Sequence, residues 1–436
     1  MCTDFADRWY QVAKGGLMRT SVASCAGLVL ALLGSILVPT AASAAPTMTP
    51  QEFDPALRSL LTDVTGDGRY DKVDLSSAGT DRYRLTVTAA GSGRTSSVEF
   101  ASAVPASMDA DAALYGAANL DGVPGVEVIV QRWTRSATET SDAVDLIVYT
   151  WRGGKLVAEK APKGGRVAGW HFGALWGNGQ GYRFFDKGGH RYVEVSTLKQ
   201  QNSGKFLWVG TITRSVWRKG HWVKVSTRKV KLTDAKAFTY LRYSGPDVLK
   251  TITTADIDGD SRPDELRFYT YQDTGAEGRY RVKVTTATGT VSSRRFYALT
   301  PHPLTGLSDF DGVAGAEILL YISLDSSSGE VLTWRNGKLT PEAAPESQAG
   351  RTPYTWPLGG DDSLTQVTLT VVDGVHHLDY LNVGAPWEND LTARVDHIVW
   401  QDGKWVTVSS DSYPNFTEEQ FDALCSGFCG FPITKP

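Results

Sequence analysis

The stretch "DVTGDGRYDKVDL", Asp63 to Leu75, sets oxygen-bearing side chains at Asp63, Thr65, Asp67 and Asp71, places glycines at Gly66 and Gly68, and runs directly into an alternating strand pattern. Alone it reads equally as a metal loop or a polar turn. Its recurrence decides the matter. "DIDGDSRPDELRF" starts at Asp256. "NLDGVPGVEVIV" from Asn119 returns as "DFDGVAGAEILL" from Asp309. "VYTWRGGKL" from Val148 returns as "VLTWRNGKL" from Val331, and "VWRKGHWVKVS" from Val216 as "VWQDGKWVTVS" from Val399. The order is kept at offsets of 193, 190, 183 and 183 residues, so the chain is duplicated with small deletions in the second copy. The halves span roughly 55–240 and 247–412.

The local patterns are β throughout. "RLTVT", "VKVST", "RVKVTT" and "TQVTLTVV" alternate with period two and are rich in Val and Thr. "RGGK", "RKGH", "RNGK" and "QDGK" are turns whose glycine supplies positive φ between strands. Units start near residues 60, 117, 170, 250, 307 and 356, three in each half. About 50–60 residues of up-and-down strand, repeated in this way, predicts an all-β fold and a six-bladed β-propeller. Two β-sandwich-like domains, one per half, are the alternative. The propeller is favoured because three blades alone leave both outer faces uncovered. Helical periodicity is confined to "TEEQFDALC", where Thr417 can cap the first turn and Gln420 takes the capping-box position.

Residues 1–44 read as a leader. A basic start (Arg19) precedes the apolar run Ala26 to Val38 and the small-x-small signal Ala42-Ser43-Ala44, which predicts a secretory signal peptide cleaved after Ala44. The residues before Met18 lie outside that pattern and suggest a start codon assigned too early. The apolar run is shorter than the roughly 20 residues of a membrane span, so no membrane insertion is expected. The whole chain holds 44 Lys+Arg and 48 Asp+Glu. The leader accounts for three basic and two acidic residues, which leaves a mature net charge of −5. No basic block stands out, so nucleic acid and anionic lipid are not expected partners. In the tail at 413–436, Cys425 and Cys429 are read most simply as a local disulfide of an oxidising compartment, with a reactive dithiol as the alternative.

Calcium takes six to eight oxygens from side chains, carbonyls and water. A nine-residue loop meets that demand with side chains at positions 1, 3, 5 and 9 and a carbonyl at position 7. These fall on Asp63, Thr65, Asp67, Asp71 and the carbonyl of Arg69, and on Asp256, Asp258, Asp260, Asp264 and the carbonyl of Arg262. The second copy has Ser261 where the first has Gly68, which leaves its winding open. An EF-hand would need a bidentate Glu at position 12 and flanking helices. Position 12 is Asp74 or Arg267, and strands follow. The spacing D-x-[DNT]-x-D-G-x-x-D in a strand context resembles the FG-GAP repeat of integrin α-type propellers and its VCBS-like bacterial relatives. That resemblance implies a calcium loop joining two strands of a blade, with ligands on the same residues. The other two loops are weaker candidates. Asn119, Asp121 and Glu127, and Asp309, Asp311 and Glu317, fill positions 1, 3 and 9, but Val123 or Val313 takes position 5. A plain Asp/Gly turn fits those two well.

No H-E-x-x-H, G-x-S-x-G or G-x-x-x-x-G-K-[ST] pattern occurs. His376-His377 stands where the first half has Gly189-His190 and reads as a turn histidine. Trp151, Trp217, Trp334 and Trp400 each precede a turn and read as packing residues. Trp170, His171, Trp176 and Trp387 lack such repetition and are candidates for sugar stacking, with buried loop anchors as the alternative. The sequence therefore predicts a secreted, calcium-stabilised, monomeric module that binds an extracellular glycan or protein without catalysis. A polysaccharide lyase or hydrolase on a propeller is the second reading, by analogy of fold alone.

Overall fold

The computed structural model describes residues 58–104, 110–133, 144–163, 169–175, 177–201, 207–273, 278–299, 303–323, 328–345, 354–357, 365–384 and 392–414, all within the unit 51–436. The leader, Trp176, Trp387, the expected C-terminal helix and the Cys425/Cys429 pair lie outside the described residues. Among those residues no helix is long and apolar enough to cross a membrane.

The fold is all-β and antiparallel sheet dominates it. The first meander is β1 (Arg58–Thr62), β2 (Asp71–Gly79), β3 (Arg82–Thr88) and β4 (Thr95–Ala101). The second is β5 (Leu114–Ala118), β6 (Glu127–Gln131), β7 (Val144–Arg152) and β8 (Lys155–Ala158). After β9 (Trp170–Leu175) comes the third, β10 (Asn178–Lys187), β11 (His190–Gln201), β12 (Leu207–Arg218) and β13 (His221–Thr233). A five-residue helix, α1 (Asp234–Phe238), leads to the fourth, β14 (Tyr243–Ala255), β15 (Asp264–Asp273), β16 (Gly278–Thr285) and β17 (Val291–Ala298). The fifth is β18 (Leu304–Ser308), β19 (Glu317–Ser323), β20 (Ser328–Arg335) and β21 (Lys338–Pro341). The short β22 (Trp356–Pro357) precedes the sixth, β23 (Thr365–Val372), β24 (Val375–Gly384), β25 (Thr392–Gln401) and β26 (Lys404–Tyr413).

The sequence patterns explain these elements directly. In β16, Tyr280, Val282 and Val284 are fully buried while Arg279, Arg281 and Lys283 alternate with them on the wetter face. Tight turns carry positive φ at both central residues, as at Lys219-Gly220 (50° and 76°), Asn336-Gly337 (53° and 75°) and Asp402-Gly403 (52° and 77°). That is the hairpin turn whose twist matches the flanking strands.

Consecutive meanders pack face to face. Leu60, Val73, Leu85 and Val87 of the first meet Leu114, Val128 and Val130 of the second. Ile129 and Val148 on the other face of the second meet Trp170, Phe184, Val193 and Trp222 around the third. The second half repeats this, with Leu266, Val282 and Val284 against Ile318 and Leu320, then Leu319 and Val331 against Trp356, Leu378 and Ile398. The third and fourth meanders are joined differently, by parallel pairing of β10 with β14 (Tyr182 opposite Tyr243). The pairings β10–β14, β14–β5, β5–β6, β6–β7, β7–β9 and β9–β10 close a ring of strands. Among the described residues no core cluster joins the sixth meander to the first.

The duplication extends to irregularities. A bulge falls at Val225 in β13, across from Arg214 and Ser215, and at Val408 in β26, across from His397 and Ile398, again 183 residues apart. The ring pair Trp217–Trp222 (5.1 Å, 64°) is matched by Trp400–Trp405 (5.1 Å, 65°). The helix α1 has no marked sequence signal, since Thr233 makes no side-chain cap bond. Burial of Ala237, together with Leu241, against Leu198, Trp208 and Leu232 holds it in place.

Trp356 is fully buried, edge-on to both Phe310 and Trp405. Its truncation removes the centre of the interface between the last two meanders. Trp356→Ala is expected to lower the unfolding free energy by about 3–5 kcal/mol in denaturant titration.

Candidate metal centres

The four Asp/Gly loops each connect the first two strands of a meander, at 63–71, 119–127, 256–264 and 309–317. All four are built on the carboxylate at position 9, which is buried beneath the loop (Asp71 0%, Glu127 3%, Asp264 0% and Glu317 1% exposed). Asp71 Oδ2 accepts from the N–H groups of Val64 (2.9 Å) and Thr65 (2.8 Å), and Asp264 Oδ2 from those of Ile257 (2.8 Å) and Asp258 (3.0 Å). Glu127 Oε2 accepts from Leu120 N–H (2.7 Å) and Glu317 Oε2 from Phe310 N–H (2.8 Å). The second oxygens of Asp71 and Asp264 accept from a neighbouring hairpin, at Ala90 N–H (2.9 Å) and Ala287 N–H (2.8 Å).

The loops interlock in pairs. Val126 N–H donates to Asp63 O (2.9 Å), and Ala316 N–H to Asp256 O (2.8 Å). A Cβ on Gly66 would lie 2.4 Å from Pro124 O and one on Gly125 2.7 Å from Val64 O. Gly259 and Gly315 repeat this against Ala314 O and Ile257 O (2.4 and 2.6 Å). Only glycine permits so close a backbone approach. Each pair is then braced by the third meander of its half. Arg191 Nη1 donates to Asn119 O (2.9 Å), and the ring of His376 lies 3.1 Å from Phe310 O through Nδ1. The hairpin histidine is thus a buried brace. Ser261 takes φ 63° where Gly68 takes 83°, so the second loop winds as the first does, with a left-handed serine.

Of the two full loops only the second gathers three carboxylates as a cation would require, and Asp63, Asp67 and Asp71 of the first form no such group. Asp256, Asp258 and Asp260 offer ligand oxygens that lie within 4.8 Å of one another. Asp258 is raised from its ordinary value by desolvation first, then by Asp264, Asp260 and Asp256. Asp260 is lowered, chiefly by its hydrogen bond from Arg262, which acts as a local counter-charge. Asp264 stands outside this triplet, engaged with its three N–H donors. In the first loop Asp63 accepts from the N–H groups of Gly66 (2.6 Å), Asp67 (3.1 Å) and Gly68 (2.9 Å). Thr65 Oγ1, at position 3, is buried without a hydrogen-bond partner, as a metal ligand would be before its ion arrives.

The partial loops are organised around other groups. Asn119 donates through Nδ2 to the carbonyls of Val123 (2.6 Å) and Gly125 (3.0 Å), so an amide stands over the position-7 oxygen. Asp121 and Glu127 instead converge with Glu159 within 4.8 Å. Asp309, Asp311 and Glu317 converge likewise, and Asp311 is paired with Arg335. Glu342 stands at the place of Glu159. Trp222 Nε1 donates to Glu159 Oε1 (2.9 Å) and Trp405 Nε1 to Glu342 Oε1 (2.7 Å). Trp170 Nε1 donates to Glu159 O (3.2 Å) and Trp356 Nε1 to Glu342 O (3.1 Å). Burial raises the four glutamates: Glu127 well above its usual range, Glu317 to about 9, Glu159 to about 7 and Glu342 to about 8.

Of these acids, sequence reasoning missed Glu159 and Glu342, and for Trp170 the buried-anchor alternative is the one the structure has. Trp170 is 4% exposed and hydrogen-bonded inside the molecule, so it offers no face to a sugar, and Trp356 is its counterpart. His171 is held by Asp145 at 2.6 Å. Glu159/Glu342, Arg152/Arg335 and Trp222/Trp405 all stand 183 residues apart, and that fixed offset was the available signal. A cavity between the second and third meanders has hydrophobic and aromatic walls, among them Leu120, Ile129 and Phe172. No protein-family model matches the chain, and no curated protein matches it.

A carboxyl raised in the folded state binds its proton more tightly there than in the unfolded chain. The stability it contributes is present below the unfolded value, near 4.5, and falls as pH rises towards the folded value. In chelated protein, the stability of Glu342→Gln relative to the parent should therefore rise between pH 5 and pH 8, the approximate window set by the raised value of Glu342. A pH-independent difference in denaturant midpoint would refute this.

Proposed function

We propose that this protein is a secreted, calcium-stabilised repeat module of the propeller type that binds an extracellular ligand, glycan or protein, and performs no chemistry. The observation that carries the metal assignment is the convergence of Asp256, Asp258 and Asp260 in a loop whose first-half copy leaves Thr65 Oγ1 buried and without a partner. Clustered carboxylates repel, and a hard divalent cation relieves that repulsion. The ligands proposed are Asp256, Asp258, Asp260 and Asp264 with the carbonyl of Arg262, and Asp63, Thr65, Asp67 and Asp71 with the carbonyl of Arg69. The loop spacing supports the FG-GAP-like assignment, and the six consecutive four-strand meanders support a propeller-type arrangement.

The role proposed for the ion is structural. Each full loop already contacts the neighbouring loop and a hairpin, so a cation there would hold meanders together. Glu159 and Glu342, both raised by burial, are hydrogen-bonded to Trp222 and Trp405, and Glu127 and Glu317, raised further, are buried beneath their loops, which supports a scaffold role for them over acid–base work on a polymer. In a thermal melt, calcium should raise the midpoint. A concentration 100-fold above Kd corresponds to about 2.7 kcal/mol. Asp258→Asn should abolish the share of that response that belongs to the second loop. A midpoint indifferent to both calcium and chelator would end the metal assignment.

A further inference from the structure

The edge strand β13 carries a line of uncompensated positive charge. From Val195 to Thr233 the sequence contains nine Lys/Arg and no Asp or Glu, in a chain of net charge −4. These residues are scattered along the sequence, and strand pairing brings them together. Arg218, Lys219, Lys224, Arg228, Lys229 and Lys231 are all exposed. None of the six forms an ion pair among the described residues. Pairing also sets Lys199 of β11 and Lys231 of β13 on either side of Val209 in one row across the sheet. β13 has thirteen residues and pairs on one side only, with β12. At about 3.3 Å per residue the stripe runs on the order of 40 Å.

Lysine on an edge strand also blocks edge-to-edge association. The duplication separates that need from a binding role. β26 is the edge strand at the same place in the second half and pairs with β25 in the same register, Ser412 opposite Arg394 as Lys229 is opposite Thr211. There the six basic residues are replaced by Gln401, Asp402, Thr407, Asp411, Ser412 and Pro414. The fold and its free edge are thus served without the charge, so the charge on β13 has another use.

We infer that β13 is a binding edge for a linear anionic polysaccharide. This names the ligand class of the extracellular binding reading above and rests on it. Lys224, Lys229 and Lys231 share one face of β13, across from Ser215, Thr211 and Val209, with Arg228 on the other, and an edge so lined with cations fits a chain carrying repeated carboxylate or sulfate groups. Single-stranded nucleic acid would call for a series of exposed aromatic platforms, whereas Trp208 and Trp222 are buried and Phe238 alone, in the helix after β13, offers an exposed ring among the described residues near this edge. A membrane would engage a plane of charge, whereas this is a line along one edge.

The test uses the mature chain and fluorescent polygalacturonate and dextran sulfate. Neutral dextran, duplex DNA and phosphatidylglycerol vesicles serve as the other arms. The acidic polymers should bind, and binding should fade as salt rises from about 50 to about 500 mM, where screening shortens to a few ångströms. The variant Lys224→Thr/Arg228→Ser/Lys229→Ser/Lys231→Thr should lose about tenfold or more in affinity. All four sites are exposed, so its melting curve should match the parent's. Equal binding by parent and variant overturns the inference, as does stronger binding to DNA or vesicles. Binding of neutral dextran or of a glycan array without any response to the acidic polymers overturns this inference alone. Failure to bind any glycan or protein overturns the underlying reading with it.

Discussion

A carboxylate at loop position 9, closed off from water, is the interaction on which the rest of the architecture depends. It turns the first strand of a meander into the second by accepting the N–H groups that the turn would otherwise leave unpaired. Asp71 and Asp264 do this with three donors each and reach the neighbouring hairpin as well. Buried N–H groups without partners are costly, so the loop, the strand start and the hairpin are held as one unit. That unit then meets the next loop backbone to backbone at Gly66/Gly125 and Gly259/Gly315. A spine of loops therefore runs across each half, from the first meander through the second to Arg191 or His376 of the third.

The two halves report on each other. Both keep the Trp pair, the two tryptophan donors to one glutamate, the adjacent arginine and the bulge in the fourth strand of the last meander. What both keep is what the fold requires. The buried acids Asp121, Glu127 and Glu159, and Asp311, Glu317 and Glu342, belong to this class, with Arg152 or Arg335 set beside them. What differs is available for other use. The lysines of β13 and the serine at Ser261 fall there, and so does Asn119, whose amide takes over a carbonyl that Asp309 leaves free of it.

Much of this was legible in the sequence. Period-two strands, turn tetrapeptides and the four loops place nearly every hairpin, because each is encoded locally. The oxygens of Asp256, Asp258 and Asp260 were legible for the same reason. The acids Glu159 and Glu342 were not, because their partners come from other hairpins and only burial brings them together. Trp170 stayed open between two readings because an aromatic beside polar loop residues reads the same whether its indole faces a ligand or a buried glutamate. The basic edge was invisible as a block because its members alternate with Val, Ser and Thr over many positions. The joining of the third and fourth meanders through β10 and β14 has no local signal at all.

The clamp and a metal make different demands on position 9, and one variant separates them. Unfolding of Asp264→Ala by denaturant, in excess chelator, is the most direct measurement. The account predicts a loss of about 3 kcal/mol or more without any metal present, because three N–H donors lose a charged acceptor. Hydrogen exchange should show Ile257, Asp258 and Ala287 deprotected together. Unchanged stability in chelator, with a loss seen only when calcium is added, would contradict it and make position 9 a metal ligand first and a clamp second.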